Sequence, residues 1–72
     1  MRILYDDDRN NRVAMECSSV AAIPDPDSDK WVVVASEIFD GRDAIIRTGL
    51  TEETAKAVVW QLFATGQSVQ CP

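Results

Sequence analysis

The sequence predicts an α+β domain: a small antiparallel sheet of about four strands with one C-terminal amphipathic helix packed on one face. Three observations carry this. Trp31-Val32-Val33-Val34-Ala35 is the densest β-forming run in the chain, rich in branched and aromatic side chains that suit a pleated surface. Asp40-Gly41 lies between two such runs, and this dipeptide favours a tight hairpin because both residues adopt positive φ. Behind Thr51, apolar residues recur at helical spacing up to Gly66.

The elements follow in order. Ile3-Leu4-Tyr5 reads as a first strand. Asp8-Arg9-Asn10-Asn11 is turn chemistry, since Asp and Asn bond to their own backbone and tolerate left-handed conformations. Residues 12–17 alternate polar and apolar, as the return strand of a hairpin does. Ser18-Ser19 interrupts the alternation, so residues 20–23 either continue that strand or begin another. Residues 24–30, Pro-Asp-Pro-Asp-Ser-Asp-Lys, form an exposed loop, because two prolines remove backbone donors and the carboxylates prefer water.

The unbroken apolar run 31–35 predicts a central strand covered on much of both faces. With Asp40-Gly41 as a two-residue loop, Phe39 faces Arg42 and Ala35 faces Ile46, and residues 43–48 are the return strand. The helix over residues 51–65 has Thr51 as N-cap, and Glu52 and Glu53 where the helix dipole favours negative charge. Its predicted buried face is Ala55, Val58, Val59, Leu62 and Phe63, with Gly66 as the stop. Ser68-Val69-Gln70 either frays or adds an edge strand.

The 72 residues are read as one domain, 1–72. A domain this small has a thin margin of stability, commonly supplemented by a disulfide, a metal or self-association. Histidine is absent, and Cys17 and Cys71 lack metal-ligand spacing. No metal and no cofactor are expected. The apolar start of the chain is short for a signal segment, and no run approaches the roughly 20 apolar residues that span a bilayer. A cytoplasmic location with two free thiols is the expectation. The net charge of −5 disfavours direct binding to nucleic acid or to anionic membrane.

Asp25, Asp27 and Asp29 alternate like the first ligands of a calcium loop, but Lys30 and Ser36 stand where that loop needs Gly and Glu. A solvated, proline-stiffened loop accounts for them better. Asp6-Asp7-Asp8 reads as a charged hairpin end, since adjacent strand residues point to opposite faces and cannot converge on one ion. Both acidic runs on one surface would suit an acidic nucleic-acid mimic, but Arg9, Arg12, Arg42 and Arg47 are interspersed. Catalysis is not expected: Ser and Cys have no histidine base beside them, and Gly41, Gly49 and Gly66 form no phosphate loop.

One feature points to a contact. Trp60 lies off the centre of the helix stripe, on a flank with Lys56 and Ala64. An indole there either closes over the sheet edge or stands out as a protein anchor, a role for which Trp is enriched. The function expected is a non-enzymatic protein-binding module, a small regulator or inhibitor acting by surface occlusion. A self-associating structural subunit and an acidic mimic are the alternatives. The partner is therefore another protein or a second copy of the chain.

Overall fold

A computed structural model describes residues 1–7, 9–39 and 41–66. Four strands, β1 (Arg2–Asp6), β2 (Arg12–Pro24), β3 (Trp31–Glu37) and β4 (Asp43–Leu50), precede one helix, α1 (Glu52–Thr65). The sheet is antiparallel with strand order β1-β2-β3-β4, and α1 packs on β2, β3 and β4. The α+β architecture read from the sequence is the one observed. The short strand at Ser68-Val69-Gln70 and any pairing of Cys71 concern residues outside those described.

β2 is one strand of 13 residues, not two. Its first half pairs with β1, from Asp6↔Arg12 to Arg2↔Glu16. Its second half pairs with β3, from Ser19↔Ser36 to Pro24↔Trp31. The register shifts between Cys17 and Ser19, so Ser18 is an extra residue on the strand. Such a bulge bends the strand and breaks the in-out alternation once. The consequence is visible in burial: Cys17 and Val20, three residues apart, both enter the core. Pro24 ends the strand rather than opening the loop, a position where its missing donor costs little.

The second hairpin corrects the expected register. Ala35 faces Ala44, not Ile46, and Ser36 faces Asp43. Glu37 N–H donates to the Arg42 carbonyl at 2.9 Å, so the connection covers residues 38–41. Phe39 leaves the ladder and is 81% exposed. The physical reason is parity. A slip of two residues keeps every side chain on its own face, so the hydrophobic pattern does not oppose it. Gly41 sits at φ 65 as the last loop residue and donates its N–H to Glu37. Two further shifts, around Val33, bring Arg47 opposite Val33 and Leu50 opposite Trp31.

β3 buries Val33 and Ala35 in the core beneath α1. On its other face Val32 is buried, but Val34 is half-buried between exposed Ala21 and Ile45, so the cover expected on both faces is complete on one only. The core joins Ile3, Cys17, Val20, Val33 and Ile46 of the sheet to Ala55, Val58 and Leu62 of α1. Burying Leu62 in that layer is worth about 1.5–3 kcal/mol. Thr51 caps α1, its Oγ1 accepting the Thr54 N–H at 3.1 Å. Gly66 closes α1 in the left-handed region at φ 72. Its N–H donates to the Leu62 carbonyl at 2.9 Å, and its own carbonyl accepts the Leu4 N–H at 2.7 Å, tying the helix end to β1.

Candidate contact surface

α1 has nearly four turns between a sheet and solvent, so only part of its apolar surface can be covered. The buried residues are Ala55, Val58 and Leu62. Val59 is half-buried. Phe63, expected in the core, is 57% exposed, and Trp60 is 75% exposed. The stripe at 55, 58 and 62 points at the sheet, which turns the neighbouring row at 59, 60 and 63 toward water. Val59, Trp60 and Phe63 together line a shallow apolar depression of about 330 Å³.

The residues expected to share the flank with Trp60 divide. Lys56, Trp60 and Ala64 are all exposed. Lys56, however, is engaged within the domain. Its Nζ lies 3.1 Å from Glu52 Oε1 and 5.8 Å from the centroid of the Trp31 ring. The cation therefore sits over an aromatic face while it pairs with a carboxylate one turn earlier. Val59 and Phe63 line the depression beside Trp60, and Lys56 and Ala64 lie exposed one turn before and after it on the same side of the helix. Phe63 is the exposed aromatic that sequence reasoning assigned to the core. Its one signal was position: it lies three residues beyond Trp60 and so shares that side of the helix.

The acidic runs lie at the two ends of β2. At its end, the loop is a local hydrogen-bonded turn: Asp25 Oδ1 accepts the Asp27 N–H at 2.9 Å, and Ser28 Oγ accepts the Lys30 N–H at 3.1 Å. At its start, Asp7 Oδ1 accepts the N–H groups of Arg9 and Asn11 at 2.9 and 2.8 Å. Asp6 pairs with Arg12 at 3.2 Å. Among the described residues no group of three or more His, Cys, Asp or Glu side chains could hold a metal ion. No described helix is long and apolar enough to cross a membrane.

A second concavity, of about 540 Å³, separates the end of the β1–β2 hairpin from β4. Tyr5, Asp6, Asp7 and Asn10 form one wall, and residues 45–48 form the other. Burial pushes the Tyr5 phenol above its ordinary pKa, and the Asp7 and Glu37 carboxylates push the same way. Burial likewise raises the Cys17 thiol, which the chain's amino terminus partly opposes and Glu16 reinforces. Cys17 packs inside, with its Sγ 3.4 Å from the Met1 carbonyl oxygen. No protein-family model, curated protein or solved structure matches the chain.

Proposed function

We propose that the chain is a non-enzymatic protein-binding module that presents Trp60, Phe63 and Val59 to a protein partner. The observation that supports this is the exposure of two large aromatics side by side on a helix that has a complete buried stripe elsewhere. Exposed apolar clusters of this kind mark interaction sites more often than scattered single residues do. The C-terminal half of α1 carries no charged side chain, so a partner need not strip water from an ion to cover it. The module acts by occupying its partner's surface, as a regulator or inhibitor does. A second copy of the chain is the competing occupant.

The test is a pair of measurements on Trp60→Ala in the full chain. Thermal unfolding is expected to shift by no more than about 0.5 kcal/mol, the range of surface sites. Photo-crosslinking from position 63 in native lysate identifies the partner, and the purified pair is then titrated. Trp60→Ala should weaken that binding by about 2 kcal/mol or more, as at an interface hot spot. Unchanged affinity, or a variant that unfolds, would remove the proposal. Sedimentation of the chain alone gives the other arm: a dimer that Trp60→Ala dissociates assigns the patch to a second copy.

A further inference from the structure

β2 is an inner strand for only half its length. β1 covers its first half, as far as Met1 beside Cys17, while β3 pairs with its second half. The side of residues 19–24 turned away from β3 has no strand beside it among the described residues. The hydrogen-bond pattern fixes which groups that side offers. Asp25 N–H donates to the Lys30 carbonyl, and bonded pairs alternate with non-bonded ones along an antiparallel ladder. Ile23↔Val32 and Ala21↔Val34 are therefore bonded, and Val20 and Ala22 turn their N–H and C=O groups outward. Pro24 falls on an outward position too, where the ladder does not need its missing N–H.

This edge is regular and uncharged. Its register runs without a shift from Ser19 to Pro24, and residues 17–24 carry no charged side chain. An edge without lysine, inward charge or internal bulge is the kind that pairs with another chain. One side of α1 overlooks it. Lys56 lies over the Trp31 ring, and Trp31 faces Pro24 at the end of β2. Val59 and Phe63 continue that side of the helix, and residues 57–66 are uncharged. Trp60 differs. It stands two residues from buried Val58 and two from buried Leu62, so it points away from the sheet.

We propose that a second copy of the chain occupies this edge. β2 pairs antiparallel with β2 of the copy about a two-fold axis at Ala21. Val20 bonds Ala22 in each direction, and Val59 and Phe63 of the two helices meet above the seam. Length argues for the copy. In this register Pro24 of one chain lies opposite Ser18 of the other, so the added strand turns off just where Met1 begins to cover Cys17. Area argues the same way. A strand edge over residues 19–24 falls far short of the roughly 800 Å² per partner of a standard interface. The occupant must also cover Phe63, 57% exposed, from beside the strand, and symmetry brings the same apolar helix side of the copy to that place. The net charge of −5 opposes association, but the charge-free seam keeps like charges apart, where salt screens them. The contact belongs to the class below about 1,200 Å² in total, so the dimer forms on concentration and dissociates on dilution. The inference rests on the reading of residues 59–63 as a contact surface. It assigns Val59 and Phe63 to the copy and leaves Trp60 at the rim for a partner protein.

Sedimentation equilibrium of the full chain, carried to millimolar concentration, is the test. The average mass should rise toward that of a dimer. Ala21 is exposed, so Ala21→Lys and Ala21→Glu leave the domain folded. Each places like charges on the axis and should weaken association about tenfold or more. Mixed in equal amounts, the two variants should associate again as a heterodimer, a recovery that a folding defect cannot imitate. Phe63→Ser should also weaken the dimer, and Trp60→Ala should leave it unchanged. A chain that stays monomeric throughout would overturn the proposal. So would a dimer indifferent to Ala21→Lys or to Phe63→Ser, or a mixture of the charged variants that fails to associate. None of these results touches the Trp60 reading, which fails only if Trp60→Ala unfolds the chain or leaves the affinity for the crosslinked partner unchanged.

Discussion

The two sides of α1 have similar chemistry and opposite fates. Ala55, Val58 and Leu62 are buried against the sheet, while Val59, Trp60 and Phe63 are half-buried to exposed. The exposed row has the larger side chains. Hydrophobicity alone would therefore have turned the helix the other way. Ala55 and Val58 are smaller than the side chains of the outer row, and with Leu62 they join Ile3 and Cys17 in the common core. A bulkier row would hold the helix off the sheet and leave voids, and dense packing is what a core of this size depends on. What is left outside is available for a partner.

The contrast can be broken most severely at Leu62. Leu62→Ala should cost about 2–5 kcal/mol, the range for a buried leucine that leaves a cavity. Urea unfolding monitored by tryptophan fluorescence measures it. A loss below about 0.5 kcal/mol would mean the other row carries the core.

Gly66 holds the orientation of the helix from its end. A side chain there would be strained at φ 72 and would place a Cβ 3.3 Å from the Arg2 carbonyl oxygen. Gly66→Ala should cost about 1–2 kcal/mol, the penalty of the left-handed region for an L-residue. The same unfolding experiment reads it, and no change would show that the helix end does not need this conformation.

Alkaline pH acts on the buried side alone. The raised pKa of Cys17 means that the unfolded chain loses this proton first as pH rises. Stability is therefore complete below the ordinary thiol value, near 8.5, and is lost as pH climbs through the higher folded value. Tyr5 adds the same trend from about pH 10 upward. Unfolding curves collected across this range should show the decline, and Cys17→Ala should flatten its lower part relative to its own neutral-pH value. A parent chain equally stable at neutral pH and at pH 10 would contradict this.

The smallest effect belongs to the outer row. Phe63→Ser should change stability by no more than about 0.5 kcal/mol while raising solubility. A cost of several kcal/mol would place Phe63 in the core after all, as its helical spacing first suggested.

Much of the architecture was legible because it rests on local chemistry. The Thr51 cap, the acidic first turn and the Gly66 stop bound α1 wherever it packs, since each satisfies helix-end groups within a few residues. The apolar run at 31–35 was legible as an inner strand, because its branched and aromatic side chains suit a pleated, partly buried surface. The Ser18-Ser19 interruption was visible, yet its meaning was not. Whether alternation breaks at a turn or at a bulge depends on a neighbouring strand, and β3 supplies it. The second hairpin failed for a related reason: two registers two residues apart satisfy the same hydrophobic pattern.

The contact surface divides in the same way. Trp60 could be singled out because five apolar positions and one indole do not fit a single stripe on a helix of nearly four turns. The sequence by itself determined which residues are helical, which are extended and where the chain reverses, because these follow from backbone conformation and short-range hydrogen bonds. Only the tertiary structure decided that Phe63 joins Trp60 outside and that Lys56 is drawn to Trp31 and Glu52. It also decided that the end of the first hairpin stands across a cleft from β4. Those outcomes depend on how closely one particular helix row approaches one particular sheet, and on a bend in β2, which residues far apart in the chain set together.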